Sequence, residues 1–246
     1  MSSNSKQGTF VEHLDELRKR LTLVIVINLI AMFICYQYID ILIQYLLNLN
    51  PGMELIYVGP SELFMVYIKV SLLCAIVLCS PITLYQIWAF VSKGLYSNEK
   101  VYMLISLTLG LAFFIIGVIF CYFVVLPITL SYFVRISISD IAAMISIEQF
   151  MSFCNQMLLC FGIVFEMPIL SFLLSKLGIL KPAFFNEKRG FLYVLIFIVA
   201  AIITPPDIMS QMLLGIPMCL LLEISMWICR TVDKFNTKKM NAVKAL

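Results

Sequence analysis

Long apolar runs separated by short polar connections dominate the chain. A charged side chain at the centre of a spanning helix costs several kcal/mol, so charge-free stretches mark membrane spans. Leu21–Ile39 is the first such stretch. Leu63–Trp88 is the second, with Lys69 near its start, and Val101–Pro127 is the third, inside a charge-free run that reaches Val134. Gln149–Ser175 is interrupted only by Glu166. Phe191–Thr204 and Ile208–Cys229 follow, the last interrupted by Glu223, with only a Pro-Pro-Asp turn at 205–207 between them. The pattern predicts an all-α integral membrane bundle of six transmembrane helices, forming one domain over residues 1–246.

The connections fix the orientation. The N-terminal segment, the 89–100 and 176–190 loops and the C-terminal tail together carry 15 Lys and Arg. The loops 40–62, 128–148 and 204–207 carry Arg135 alone. This split places both termini on the cytoplasmic side, or its organellar equivalent. The last two spans are short: the apolar residues of the fifth, Phe191 to Ile203, make a helix of about 20 Å against a hydrocarbon core of about 30 Å. Either flanking residues extend that helix or the bilayer thins around it.

Composition agrees with a membrane solvent: 62% of residues are hydrophobic, 13% are charged and the mean hydropathy is +1.03. The first twenty residues are polar and charged, which argues against a secretory signal peptide. Eight cysteines lie in or at the ends of apolar runs without a C-x-x-C pair, and read as small apolar residues rather than a disulfide or metal framework. The single histidine, His13, lies outside the spans, and no H-E-x-x-H, G-x-S-x-G or phosphate-binding loop is present. No cofactor, metal, nucleic acid or catalytic machinery is expected. No internal repeat of the kind found in many carriers is visible. Plentiful Ile, Phe, Leu, Ser and Asn point to an AT-rich genome.

Several residues stand out. Thr9-Phe-Val-Glu12 has the form of a capping box opening an interfacial helix with Phe10, Leu14, Leu17 and Leu21 on one stripe. Its carboxylates suit a basic partner, or else Asp15, Glu16, Arg18, Lys19 and Arg20 neutralise one another on a wet surface. Tyr85, Trp88, Phe90 and Tyr96 form an interfacial aromatic belt, and Glu99 is an acid among them. An acid there suits a guanidinium, through paired hydrogen bonds and stacking. Pro81 and Pro168 are expected to kink their spans. Glu166 is the sharpest anomaly, because an ionised carboxylate inside a span is expensive, and Gln211 is its expected hydrogen-bond partner. Glu223, near the Arg230 end, is within reach of the interface.

The chain resembles the TatC family, the receptor subunits of the twin-arginine protein translocase. The resemblance rests on Glu12-His-Leu-Asp-Glu-Leu-Arg-Lys-Arg20, Ser80-Pro-Ile-Thr-Leu-Tyr-Gln-Ile-Trp-Ala-Phe90, Gly94-Leu-Tyr with Glu99-Lys, Phe161-Gly-Ile-Val-Phe-Glu-Met-Pro168, and Ile203-Thr-Pro-Pro-Asp207 with Ser210-Gln211. These motifs occur in order over nearly the whole chain. The resemblance implies a cup-shaped, six-span subunit that binds the paired arginines of signal peptides on folded cargo. Such a subunit recruits single-span TatA- and TatB-like partners, works within a homo-oligomeric complex in membrane lipid, and draws on the proton-motive force. It implies that Glu16 and Glu99 bind the two arginines, with Arg18, Phe90, Leu95 and Tyr96 on the same surface. It also implies that Glu166 and Gln211 form a polar pair receiving partner helices. Lys93 stands where the family commonly has proline. The Phe-Glu-Met-Pro and Thr-Pro-Pro-Asp forms are similar to those of proteobacterial and mitochondrial members more than plastid ones. The expected location is therefore the inner membrane of a mitochondrion or bacterium, ahead of a thylakoid. Two other readings compete: a proton-coupled small-solute carrier using Glu166, and a membrane scaffold for which neither Glu16 nor Glu99 matters.

Overall fold

A computed structural model of the chain describes residues 4–57, 59–92, 100–136, 144–204 and 208–244. Helix α1 (Asn4–Tyr36) carries the interfacial segment and the first span without a break. It begins five residues ahead of Thr9, so the Thr9–Glu12 capping box expected from the sequence does not open it. No proline lies upstream, and Gly8 costs only about 1 kcal/mol in a helix interior, too little to stop propagation towards Asn4.

The second span is divided. Helix α3 (Pro60–Leu78), preceded by the short α2 (Ile39–Leu47), ends at Cys79, and α4 (Ser80–Ser92) starts one residue later. Pro81 lies in the first turn of α4, where a missing N–H leaves no helical bond unmade. The third apolar run extends further than Pro127 suggested. Helix α5 (Lys100–Phe120) passes through a π turn at Cys121–Val125 into α6 (Leu126–Ile136). The Leu126 N–H bonds to the Cys121 carbonyl, five residues back. That wider turn makes room for the Pro127 ring, and the helix continues. The resulting shaft is about 55 Å long against a hydrocarbon core of about 30 Å, so its far end, with Arg135, lies beyond the bilayer.

The fourth span also divides, into α7 (Ile147–Val164) and α8 (Met167–Lys176). The Ser146 side chain caps α7 by accepting from the Glu148 N–H at 3.2 Å. Helix α9 (Pro182–Ile203) extends its short apolar stretch on the cytoplasmic side through Glu187, Lys188 and Arg189. The flanks therefore lengthen the helix while its apolar part stays short. Helix α10 (Ile208–Lys244) runs past the expected end at Cys229 and contains Pro217. Among the described residues, five helical segments are long and apolar enough to cross a membrane: Leu14–Tyr36, Pro60–Leu78, Val101–Arg135, Ile147–Lys176 and Gln211–Phe235. The apolar part of α9 completes the six-span bundle.

On the side opposite the cytoplasm, β1 (Glu54–Ile56) pairs in parallel with β2 (Met144–Ser146) and ties two connections together. Near this end Lys69 donates to the Glu148 carboxylate at 2.7 Å and to the Ser152 hydroxyl at 2.9 Å, which joins α3 to α7. At the cytoplasmic end Arg189 and Tyr193 of α9 both donate to the Glu223 carboxylate of α10, and Arg230 donates to Asn186 at 2.8 Å. Glu223 thus has partners on a neighbouring helix and does not simply reach for the interface.

Helix α7 is the centre of the core. Its Met151, Cys154, Met157 and Phe161 are fully buried, while α1 leaves Leu29, Ile30 and Phe33 exposed for the acyl chains. Helix α5 packs closely on α7. A Cβ on Gly117 would come within 2.6 Å of the Phe161 carbonyl oxygen, and one on Gly162 within 2.8 Å of the Phe114 ring. All eight cysteines are free. Gly117→Ala and Gly162→Ala are expected to destabilise the detergent-solubilised protein by about 1–3 kcal/mol. Gly190→Ala, whose Cβ would meet nothing within 4 Å, is the neutral control. Thermal unfolding of the three variants checks this, and equal midpoints would show that the helices can separate at no cost.

Candidate functional site

The cytoplasmic ends of α1 and α4 come together through side chains that the sequence places 66 residues apart. The Arg20 guanidinium forks onto one oxygen of Glu16: Nε donates at 2.8 Å and the second terminal nitrogen also lies at 2.8 Å. Its remaining terminal nitrogen donates to Gln86 Oε1 on α4 at 2.7 Å. Glu16 and Arg20 are four residues apart on α1, the spacing at which helical side chains meet. Both side chains are largely withdrawn from solvent, at 16% and 23% exposure. The neighbouring Lys19–Asp15 pair, at 3.1 Å, is open to solvent at 77% and 53%. The neutralisation expected on a wet surface thus describes Lys19 and Asp15, whereas Glu16 belongs to a part-buried bridge between helices. One helical turn pair further into α1, Asn28 donates to the Val24 carbonyl at 2.9 Å and reaches the Thr83 hydroxyl of α4 at 3.5 Å.

The structure separates the other expected members of this site into two groups. Arg18 is exposed on α1, and Phe90 is half-buried near the end of α4. Leu95, Tyr96 and Glu99 lie outside the described residues. Sequence reasoning missed the pairing of Arg20 with Gln86. The i, i+4 spacing signalled the Glu16 contact, but nothing local signals a contact across 66 residues.

The second polar feature lies within the bundle. Glu166 occupies the break between α7 and α8, with Pro168 in the first turn of α8. It is 7% exposed, and both carboxylate oxygens are buried with no hydrogen-bond partner among the described residues. The expected partner lies elsewhere. Gln211 Nε2 donates to the Phe197 carbonyl of α9 at 2.9 Å, so Gln211 fastens α10 to α9 instead of reaching Glu166. The carboxylate instead abuts α5 at Gly110, where a Cβ would lie 2.8 Å from Oε2. A glycine is what leaves room for it. Sequence reasoning did not single out Gly110, because an isolated glycine in an apolar run carries no local signal of what it faces.

Together these features define a multi-pass helical membrane protein of six spans, with guanidinium–carboxylate bridges at its cytoplasmic end and, among the described residues, an unpaired carboxyl group within the bundle. Comparison with known proteins narrows this class. The family described as Sec-independent protein translocase protein (TatC) matches residues 12–217. The TatC protein of Desulforapulum autotrophicum is 36% identical over 239 residues, covering 95% of this chain and 88% of that protein. The TatC protein of Helicobacter pylori strain 26695 is 38% identical over 221 residues, covering 90% and 87%. A crystal structure of the twin-arginine translocase receptor TatC superimposes with a TM-score of 0.81 at 34% identity, covering 89% of this chain and 99% of that one. The chain belongs to the TatC family of Sec-independent protein translocase subunits.

Burying a carboxyl group without a partner costs about 1–3 kcal/mol. Glu166→Leu is therefore expected to raise the unfolding midpoint of the solubilised protein while impairing transport. A lowered midpoint in a thermal unfolding scan would show that the carboxyl group makes stabilising bonds in the folded state.

Proposed function

We propose that this chain is the cargo-recognition subunit of a twin-arginine translocase. It takes the two arginines of a signal peptide between Glu16 and Glu99 at the cytoplasmic mouth, with Arg18, Phe90, Leu95 and Tyr96 on the same surface. The observation that carries this reading is the state of Glu16. Its carboxylate sits at the membrane surface, partly withdrawn from water, and already accepts two N–H groups of a guanidinium. A site that holds one guanidinium in this way has the acceptor geometry and the lowered dielectric that a second one needs. Lysine offers a point charge instead of a planar fork, so such a site favours arginine.

Glu166 and Gln211 in this reading face single-span TatA- and TatB-like partners within a complex containing further copies of this chain. Their support is the placement of Glu166: a buried carboxyl group lacking a donor among the described residues invites one from outside the subunit. The subunit moves folded cargo with the proton-motive force, makes and breaks no covalent bonds, and acts as one domain. Its membrane is the inner membrane of a bacterium or mitochondrion, and the bacterial relatives support the first.

The test is photo-crosslinking of membranes containing the protein to a cargo with an Arg-Arg signal peptide. Lys-Lys cargo and the Glu16→Ala and Glu99→Ala variants serve as controls. Capture is expected to require both arginines and both carboxylates. Capture by folded, inserted protein that is indifferent to all three changes would refute the assignment.

A further inference from the structure

Glu16 is not vacant while it waits for cargo. The group that fills it, the Arg20 guanidinium, is the same chemical group that a signal peptide brings. We infer that Arg20 is an internal competitor: a guanidinium of the chain itself that occupies the Glu16 half of the recognition site, must be displaced by an incoming cation, and thereby limits how tightly the site holds a signal peptide. The inference rests on the reading of Glu16 as an arginine-binding residue.

The geometry carries the argument. Arg20 uses two nitrogens on Glu16 and a third on Gln86, so its guanidinium is held in place from two helices. An arriving arginine replaces one planar fork by another, with the same number and direction of N–H donors. That exchange is close to balanced, and the favourable remainder of binding comes from the rest of the peptide. An arriving lysine has an ammonium that cannot reproduce the fork, so the exchange gives up aligned charge-assisted hydrogen bonds. With Arg20 gone, both cations would gain by the cost of displacing it, which is the same for each, and the difference between them would stay. Discrimination therefore arises from what the newcomer binds, and overall affinity from what it displaces as well. Gln86 has a defined part in this. By holding the third nitrogen, it keeps Arg20 over Glu16 when thermal motion of a long side chain would otherwise carry it into solvent. It is a positioning residue for Arg20.

The mechanism also explains how strong binding is avoided. A half-buried carboxylate with no resident cation would hold a signal peptide tightly, and release would be slow. An internal guanidinium that re-forms its bonds as the peptide leaves lowers the cost of release, because no bare charge is left at the membrane surface.

The experiment measures crosslinking yield against peptide concentration for Arg-Arg and Lys-Lys signal peptides, using the full-length protein in membranes. Wild type, Arg20→Gln and Gln86→Leu are compared, with Glu16→Ala as a control. Arg20→Gln is expected to bind both peptides at lower concentration. The gain is the same factor for each peptide, about fivefold, and the Arg-Arg to Lys-Lys affinity ratio stays where it was. Gln86→Leu, which leaves every charge in place, is expected to strengthen binding of both peptides by a smaller common factor. It keeps the test alive if Arg20→Gln fails to insert. Affinities unchanged or lowered for both peptides in both variants overturn the inference and leave Arg20 as a structural bridge. If wild type itself ignores Glu16→Ala or does not distinguish the two peptides, the receptor reading fails instead.

Discussion

Hydrocarbon offers no hydrogen bonds, and every polar group of this chain is arranged around that fact. Backbone groups in the spans are satisfied inside helices. Among the described residues, charged side chains near the two faces tie separate elements together: Lys69 to Glu148, Arg189 to Glu223, and Arg20 to Gln86. These links do more than cancel charge. Each one joins a different pair of helices near a membrane face, so the bundle is fastened at its rims by polar bonds and filled between them by apolar packing.

Within the bilayer the burden falls on close contact. Apolar side chains are as content in lipid as in protein, so helices there associate through shape and dispersion. The seam between α5 and α7 is built accordingly, with Gly117 set against the Phe161 backbone and Gly162 against the Phe114 ring. Gly110, one further step along α5, admits the Glu166 carboxylate in the same way. A surface of small residues that elsewhere brings two helices together here also brings an acid into the bundle. The carboxyl group stays without a donor among the described residues.

Much of this was legible in the sequence for a simple reason: the cost of charge in hydrocarbon leaves spans visible as gaps between charges, and the excess of Lys and Arg on one side orients them. Breaks were less legible. Pro81 and Pro168 mark the places where α3 gives way to α4 and α7 to α8, but Pro127 does not end its helix, because the π turn ahead of it absorbs the ring. The C-terminal tail was misjudged, since α10 runs on as a helix where charge returns and the hydropathy signal stops, and α1 begins five residues ahead of the expected Thr9. Contacts between helices were the least legible. Gln211 was expected on Glu166 and is bonded to Phe197, and the Arg20–Gln86 bond had no sequence trace at all. Motif resemblance located Glu16 as important without revealing what already holds it.

The continuous shaft from Lys100 to Ile136 has a mechanical consequence. Gly117, where its backbone lies close against α7, is almost at its midpoint. Each arm is therefore about 27 Å long. A tilt of about 10° around that point would carry the two ends about 5 Å in opposite directions. One end adjoins Glu99, and the other leads towards the strand that latches the far-side connections. Were the shaft to tilt as one rigid body about that point, a displacement on one face of the membrane would appear reversed on the other.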